Sequence, residues 1–137
     1  MQKRSGFTII ELSVVIVIIF ILAYMAIPRF TDLFRRTKEN KTKAILVELR
    51  DGIKKYYEDN GVYPYNITTQ DFLGTKKYFP YEKLPKVELG KYHADKNTLK
   101  LGGEIDNTGG WYYNHETGEI KINSNFLDTK DLEYSKW

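Results

Sequence analysis

One acidic side chain lies inside an otherwise apolar run near the amino terminus. The run Phe7–Ile27 reads FTIIELSVVIVIIFILAYMAI, and Glu11 is its only charged residue. An ionisable group at membrane depth is rare and usually marks a functional site. A carboxylate in such surroundings favours a cationic partner, because a low dielectric strengthens Coulomb attraction.

The apolar run has the length of a membrane span. Its 21 residues would form a helix of about 31 Å, close to the ~30 Å thickness of the hydrocarbon layer. Its many valines and isoleucines favour strands in water. In lipid, however, a lone span must satisfy its own backbone hydrogen bonds, so it must be helical. The run therefore predicts one transmembrane helix.

Three other interpretations of the run fit less well. A core helix of so small a domain would be shorter. A secretory signal peptide has an apolar core of ~7–15 residues and a small-x-small cleavage site, but this run is longer, and cleavage after Ala26 would put Tyr24 at a small-residue position. An unprocessed anchor leaves both Glu11 and the abrupt polar-to-apolar step at Gly6–Phe7 unexplained.

The segment KRSGFTIIEL at positions 3–12 resembles the processing site of type IV prepilins and type II secretion pseudopilins. The resemblance implies that a prepilin peptidase cuts after Gly6 and methylates the new terminal residue, Phe7. It also implies that Glu11, the fifth mature residue, recruits and aligns the incoming subunit. Pro28 stands where pilins commonly carry a helix-perturbing proline, and we expect a kink there.

The chemistry of the amino terminus agrees with that implied role. Cleavage would place a positive amine on Phe7 at the membrane edge, with Glu11 about one helical turn deeper. The amine of a neighbouring subunit could then neutralise the carboxylate through a charge-assisted hydrogen bond. Desolvation offsets much of the attraction, so we expect this pair to specify register more than net stability.

The chain after Pro28 changes to an amphipathic pattern. Apolar residues recur at steps of three and four, with a stripe around Leu49, Ile53 and Tyr57. Asn60-Gly61 is typical of a helix end. The predicted organisation is a leader at 1–6, a membrane or filament-core helix at 7–28, an amphipathic helix at 29–60 and a globular head at 61–137.

The head reads as a small antiparallel sheet packed on the helix, an α+β fold of the type IV pilin kind. We predict strands over 86–92, 98–101, 110–113 and 119–123, with a short helix near 69–73. The best pair is a hairpin whose turn at 115–118 places Gly118 in the left-handed region. We expect Trp111 and the Ile120–Ile122 face to bury against the helix stripe, because one face of a hairpin needs an apolar cover.

Composition excludes several chemistries. The 137 residues include no cysteine, the net charge is +3, and the head by count carries ten positive and eleven negative charges. DNA-binding proteins need clustered Lys and Arg for phosphate contacts, so we expect no nucleic acid partner. No nucleophile–base pair, P-loop or dinucleotide fingerprint is present, so we expect no enzyme.

His93 and His115 are expected to be surface or strand residues, and no cofactor is expected. The weak candidates for an oxygen-rich calcium site are Asp106, Asn107, Asp128 and Asp131.

These patterns favour a structural subunit of a type IV pilus-like filament, with a type II secretion pseudopilin as the alternative. A DNA-uptake pilin and a single-pass anchored binding domain that never polymerises are further alternatives. The resemblance implies as partners copies of the chain, related pilins, prepilin peptidase, an inner-membrane assembly platform and, before assembly, lipid. It also implies a cytoplasmic leader and an external or periplasmic filament. A positive-inside count gives the opposite orientation, because six basic residues closely follow the span.

We predict that the mature protein begins with N-methyl-Phe7. Glycine at position 6 offers a small, flexible backbone to a protease, and the polar sequence stops there. Intact-mass analysis of the native protein, with sequencing of the amino-terminal peptide, tests this. A native protein that retains residues 1–6 would contradict it.

Overall fold

A computed structural model describes residues 6–90 and 93–137 of the chain. The elements are helix α1 (Ile9–Asn60), strands β1 (Leu99–Leu101), β2 (Trp111–Asn114) and β3 (Glu119–Ile122), and a 3-10 helix at Tyr134–Lys136. By backbone contacts the chain divides into two units, Met1–Phe34 and Arg35–Trp137. One long amino-terminal helix and a small sheet confirm the predicted α+β class.

The first unit is helical from Ile9 onward and exposes its apolar side chains. Among the described residues, α1 is the one helix long and apolar enough to cross a membrane, and its most apolar 18-residue window has a mean hydropathy of 2.8 with none of it buried. The helix continues through Pro28, whose missing N–H removes one backbone hydrogen bond. A bend at Pro28 stays a prediction.

Helix α1 ends where the sequence predicts. The N–H of Gly61 donates to the carbonyl of Tyr57 at 2.8 Å, and the side-chain amide of Asn60 donates to the carbonyl of Tyr56 at 2.8 Å. Gly61 has φ of 72°, a left-handed conformation that glycine adopts without a steric penalty. These bonds satisfy carbonyls that the end of the helix would otherwise leave unpaired.

The second unit is built around the buried stripe of α1. Leu46, Leu49 and Ile53 are at most 2% exposed and belong to one apolar cluster with side chains of β2, β3 and the loops. Tyr57 departs from the prediction, because it is 43% exposed and its ring stacks on Tyr63 instead. The stripe therefore stops one turn short of the expected length.

Gly52 marks the closest approach of α1 to the loop that covers it. A Cβ atom at this position would overlap the backbone carbonyl of Tyr78 and crowd the ring of Phe72. The carbonyl belongs to backbone that cannot move aside cheaply, so this glycine is required by packing rather than by its φ angle.

The sheet has the order β1-β2-β3 and is mixed. Strands β2 and β3 form the predicted antiparallel hairpin, with Trp111 opposite Ile122, and Gly118 has φ of 70°. Strands β1 and β2 are parallel, which corrects the expected all-antiparallel sheet. A parallel pair needs a connection that returns to the starting end, and here the return at 102–110 contains four glycines with φ between 64° and 79°.

Two other predicted elements are absent from the described residues. The segment 86–92 makes only an isolated antiparallel bridge between Val87 and Lys96, and positions 91 and 92 lie outside the described residues. The helix expected near 69–73 is a hydrogen-bonded turn, in which the N–H groups of Phe72 and Leu73 both donate to the carbonyl of Thr69. Both segments cover the stripe of α1 without repeating secondary structure.

The predicted burial of the hairpin face is confirmed. Trp111, Ile120 and Ile122 are at most 1% exposed and belong to the same apolar cluster as Leu49 and Ile53. The indole N–H of Trp111 donates to the carbonyl of Pro85 at 2.7 Å, so the polar end of this buried ring is also satisfied.

Replacing Trp111 with alanine is expected to destabilise the second unit strongly. Truncating a fully buried aromatic residue typically costs ~3–5 kcal/mol, which is a large part of the ~5–15 kcal/mol that holds a domain folded. Denaturant unfolding of the detergent-solubilised chain, followed by near-UV circular dichroism, measures the loss. Tyr65→Ala is the matched control, because Tyr65 is 73% exposed. Equal midpoints for the two variants would contradict the burial argument.

Candidate functional site at the amino terminus

The amino-terminal site begins with a closed hydrogen-bonded box at the start of α1. The backbone N–H and the hydroxyl of Thr8 donate to Oε2 of Glu11 at 2.8 and 2.9 Å. The N–H of Glu11 donates in return to the Thr8 hydroxyl oxygen at 3.2 Å. This is a capping box, which satisfies the backbone donors that a helix start leaves unpaired.

The box changes the view of Glu11 that the sequence suggested. The carboxylate was expected to lack any partner in lipid, yet Thr8 of its own chain binds one of its oxygens. It also lies in the first turn of α1, where the helix dipole favours negative charge. The other oxygen, Oε1, has no hydrogen-bond partner in residues 6–90 and 93–137.

Sequence reasoning missed Thr8, although a signal for it was present. A Thr-x-x-Glu spacing directly before an apolar run is the pattern of a capping box. Thr8 and Glu11 have that spacing, so the capping box is predictable from the sequence.

The predicted cleavage position lies just outside the box. Gly6 and Phe7 precede α1 and are exposed, with Phe7 at 79%. A Cβ atom at Gly6 would meet nothing within 4 Å. The rest of the predicted leader, residues 1–5, lies outside the described residues.

The second unit fastens its carboxyl-terminal segment to α1 through a buried acid. Glu39 is 2% exposed. It accepts hydrogen bonds from the hydroxyls of Tyr134 at 2.8 Å and Thr129 at 2.6 Å, and its carboxylate lies 3.1 Å from Nε of Arg35. Arg35 also donates to the carbonyl of Leu127 at 2.6 Å. A buried charge needs such partners. The network therefore holds the carboxyl-terminal segment in one position on α1.

The side chain of Lys43 in the same chain binds the carboxylate of Asp128. Its Oδ2 accepts from Nζ of Lys43 at 3.1 Å and from the indole N–H of Trp137 at 2.9 Å. Its Oδ1 accepts from the backbone N–H groups of Lys130 and Leu132 at 2.7 and 3.0 Å. Lys43 also lies 4.1 Å from the centre of the Trp137 ring.

The calcium candidates are not brought together. Lys100 binds Asp106 at 2.7 Å, and Asn123 donates to the same carboxylate at 2.7 Å. Asn107 uses its side-chain oxygen to accept from the N–H of Asn125. Asp131 is exposed. No group of three or more His, Cys, Asp or Glu side chains that could hold a metal ion occurs in the described part of the chain.

Both histidines pack against neighbours. Nε2 of His93 lies 2.9 Å from the hydroxyl of Ser124, and burial together with the charge of Lys96 lowers the pKa of His93. The His115 ring lies 4.8 Å from the ring of Tyr65. These contacts agree with surface or strand positions.

The amino-terminal site also has a counterpart in known proteins. The family profile described as the prokaryotic N-terminal methylation motif matches residues 1–27. The type II secretion system core protein G of Vibrio cholerae is 34% identical over 116 residues, which covers 74% of this chain and 80% of that protein. The chain therefore belongs to the family of type IV pilins and type II secretion pseudopilins.

Other members of the family align over less of their length. The major pilin PilE of Neisseria gonorrhoeae is 30% identical over 74% of this chain and 62% of its own length. The fimbrial protein EcpC of Eikenella corrodens is 38% identical over 46% of this chain and 41% of its own length. The chain thus spans less than two thirds of the pilins it matches. No solved structure matches the chain. The relatives described here are named as pilins, a fimbrial protein and a secretion core protein, not as enzymes.

The network around Asp128 predicts acid sensitivity. Burial opposes ionisation, but the N–H groups of Leu132 and Lys130, together with Lys43 and Trp137, lower the pKa of Asp128 to about 2. An unfolded aspartate has a pKa of about 3.9. The stability from this group is therefore complete above about pH 4 and is lost as the pH falls toward 2.

Melting temperatures of the detergent-solubilised chain between pH 2 and 5 measure that dependence. We expect Asp128→Asn to be less stable than the wild type at neutral pH and to show a shallower loss in acid. Asp131→Asn is the control, because this exposed residue follows Asp128 by three positions and should change neither property. A wild-type slope in Asp128→Asn would contradict the assignment.

Proposed function

We propose that this pilin-family chain is a structural subunit of a type IV pilus-like filament. A prepilin peptidase removes residues 1–6, and the processed chain assembles through the helix of the first unit. The observation that carries the proposal is the hydrogen bonding of the two carboxylate oxygens of Glu11. Its Oε2 is bound by Thr8 of the same chain, whereas Oε1 has no partner among the residues that the structure describes and can accept a cation from another chain.

The exposed apolar surface of the first unit supports the same role. Side chains such as Ile10, Phe20 and Phe30 are 75%, 70% and 58% exposed. Apolar surface on this scale requires a cover. Lipid supplies it before assembly, and the equivalent helices of other subunits supply it within a filament.

A pseudopilin of a type II secretion system is the second candidate. The Vibrio cholerae core protein G aligns over 80% of its own length, which gives this role direct support. Both roles use the same amino-terminal chemistry, so the proposal for Glu11 applies to either. The net charge of −1 that the head carries by count speaks against a DNA-uptake pilin.

The same proposal places the leader in the cytoplasm and the second unit outside the inner membrane. Three of the six basic residues that follow the span form ion pairs with acids of the head. Lys38 pairs with Asp95 at 3.0 Å, Lys41 pairs with Glu88, and Lys43 pairs with Asp128. A positive-inside count therefore includes cations that pair with acids of the head.

Three variants in the native host separate the charge of Glu11 from its role in the cap. Glu11→Gln keeps a side chain that can close a capping box but removes the charge. Glu11→Ala removes both, and Thr8→Ala removes the capping hydroxyl while keeping the charge. We expect both Glu11 variants to insert normally and to lose filaments, and Thr8→Ala to assemble.

Membrane fractionation measures insertion, and immunoblots of sheared filaments measure assembly. Normal filaments from Glu11→Gln would show that the charge is dispensable and would overturn the proposed role. Loss of filaments in Thr8→Ala alone would assign the site to helix capping instead.

A further inference from the structure

The dipeptide Asn60-Gly61 joins a reactive side chain to an unhindered backbone nitrogen. The side-chain amide of an asparagine can be attacked at Cγ by the backbone nitrogen of the next residue, and a glycine there has no side chain to block the attack. This is the one Asn-Gly pair in the sequence. Both residues are exposed, and a Cβ atom at Gly61 would meet nothing within 4 Å. Water and hydroxide therefore reach the pair.

The end of α1 engages both of the groups that would react. The N–H of Gly61 donates to the carbonyl of Tyr57 at 2.8 Å, so the attacking nitrogen is held in the helix cap. The side-chain amide of Asn60 donates to the carbonyl of Tyr56 at 2.8 Å and to the hydroxyl of Tyr78 at 3.4 Å. Ring closure needs backbone dihedrals at Asn60 outside the helical range, so these bonds must break first.

From this arrangement we propose that Asn60 is a deamidation site that the closed end of α1 protects and that opening of the last turn exposes. Once the turn is open, the Gly61 nitrogen loses its proton to base and attacks Cγ of Asn60. A Cγ–N bond forms, and the side-chain nitrogen leaves as ammonia. Water then opens the five-membered imide at either carbonyl, which gives aspartate or isoaspartate. The inference is independent of the proposed filament function.

The last turn of α1 is well placed to open before the rest of the helix. Residues 58–60 are exposed, and helix ends open at lower free energy than helix interiors. Glu58 and Asp59 bring negative charge to the end where the helix dipole favours cations, and the last turn contains no basic residue. An ion pair between Asp59 and Lys77 at 2.8 Å opposes this opening.

The same helix contains a second pair with related chemistry in a different position. Asp51-Gly52 can close the same imide ring with loss of water. Gly52 is buried in the interior of α1, directly beneath the carbonyl of Tyr78, and its N–H belongs to the helical hydrogen-bond ladder. Asp51 therefore serves as a reference that reacts only when the helix itself unfolds.

Deamidation would alter the loop that follows α1. Aspartate or isoaspartate at position 60 lacks the amide donor that binds the carbonyl of Tyr56, and it adds a negative charge where the helix dipole disfavours one. Isoaspartate also lengthens the main chain ahead of Tyr63. The ring of Tyr63 stacks on Tyr57 and fills the space that a Cβ atom at Gly118 would need, so we expect the modification to weaken these contacts.

Peptide mapping by mass spectrometry measures the reaction in the detergent-solubilised full-length chain at neutral pH. We expect position 60 to deamidate about tenfold or more slowly in the folded chain than in urea. Asp59→Pro removes a helical hydrogen bond and opens the last turn, so its folded rate should approach the rate of the same variant in urea. Asp59→Ala is the matched control, because it loses the same carboxylate and ion pair but keeps the helix.

The outcomes at positions 60 and 51 decide the inference. Fast deamidation in folded Asp59→Pro with Asp51 unreacted, together with slow deamidation in Asp59→Ala, supports it. Equal rates in the folded and unfolded wild type would overturn it, as would equally slow reaction in the two variants. Reaction at both positions in the folded wild type would assign deamidation to global unfolding and overturn it as well.

Hydrogen exchange at the Gly61 N–H of the wild type keeps the inference testable if near-UV circular dichroism shows that Asp59→Pro has unfolded. Exchange requires the same bond to the carbonyl of Tyr57 to break. We expect its protection to match the slowing of deamidation. A Gly61 N–H that exchanges as fast as in the unfolded chain would overturn the proposed protection.

Discussion

Helix α1 carries two apolar surfaces, and the chain covers only one of them. The stripe of Leu46, Leu49 and Ile53 is buried beneath the sheet and loops, whereas the side chains from Phe7 to Phe34 remain exposed around the helix. The hydrophobic effect acts on both surfaces equally. The second unit satisfies it by folding, and the first unit can satisfy it only through lipid or other chains. That incomplete burial is the physical basis for the proposed assembly.

The polar contacts of α1 divide in the same way. Along the second unit, Glu39, Thr42 and Lys43 are bound by the carboxyl-terminal segment and by the segment that contains Glu88. At the amino terminus, Thr8 is the one side-chain partner of Glu11 among residues 6–90 and 93–137. Buried polar groups are costly when unsatisfied, so the contacts of the second unit specify one arrangement of its loops. The contacts at the amino terminus leave capacity for a partner.

Much of this architecture follows from local patterns. The 21-residue apolar run, the Asn60-Gly61 helix end and the alternation around Trp111 each depend on neighbours within a few residues, so each could be predicted. The parallel pairing of β1 with β2 could not, because it depends on how four left-handed glycines return the chain between the two strands. The same limit applies to Asp128, which the sequence marks only as a weak calcium candidate, because its partner Lys43 lies 85 residues away in the chain.

The sequence by itself determined the amino-terminal features of this protein: the polar-to-apolar step at Gly6–Phe7, the acid at position 11 and the long apolar run that contains it. These features depend on spacing along one helix. The geometry of 3.6 residues per turn fixes their relative positions without any tertiary information. Only the tertiary structure decided which charges remain available. It buried Glu39 and paired Lys38, Lys41 and Lys43, yet left Arg36, Glu48 and Asp51 exposed, because burial and ion pairing depend on contacts between residues far apart in the chain.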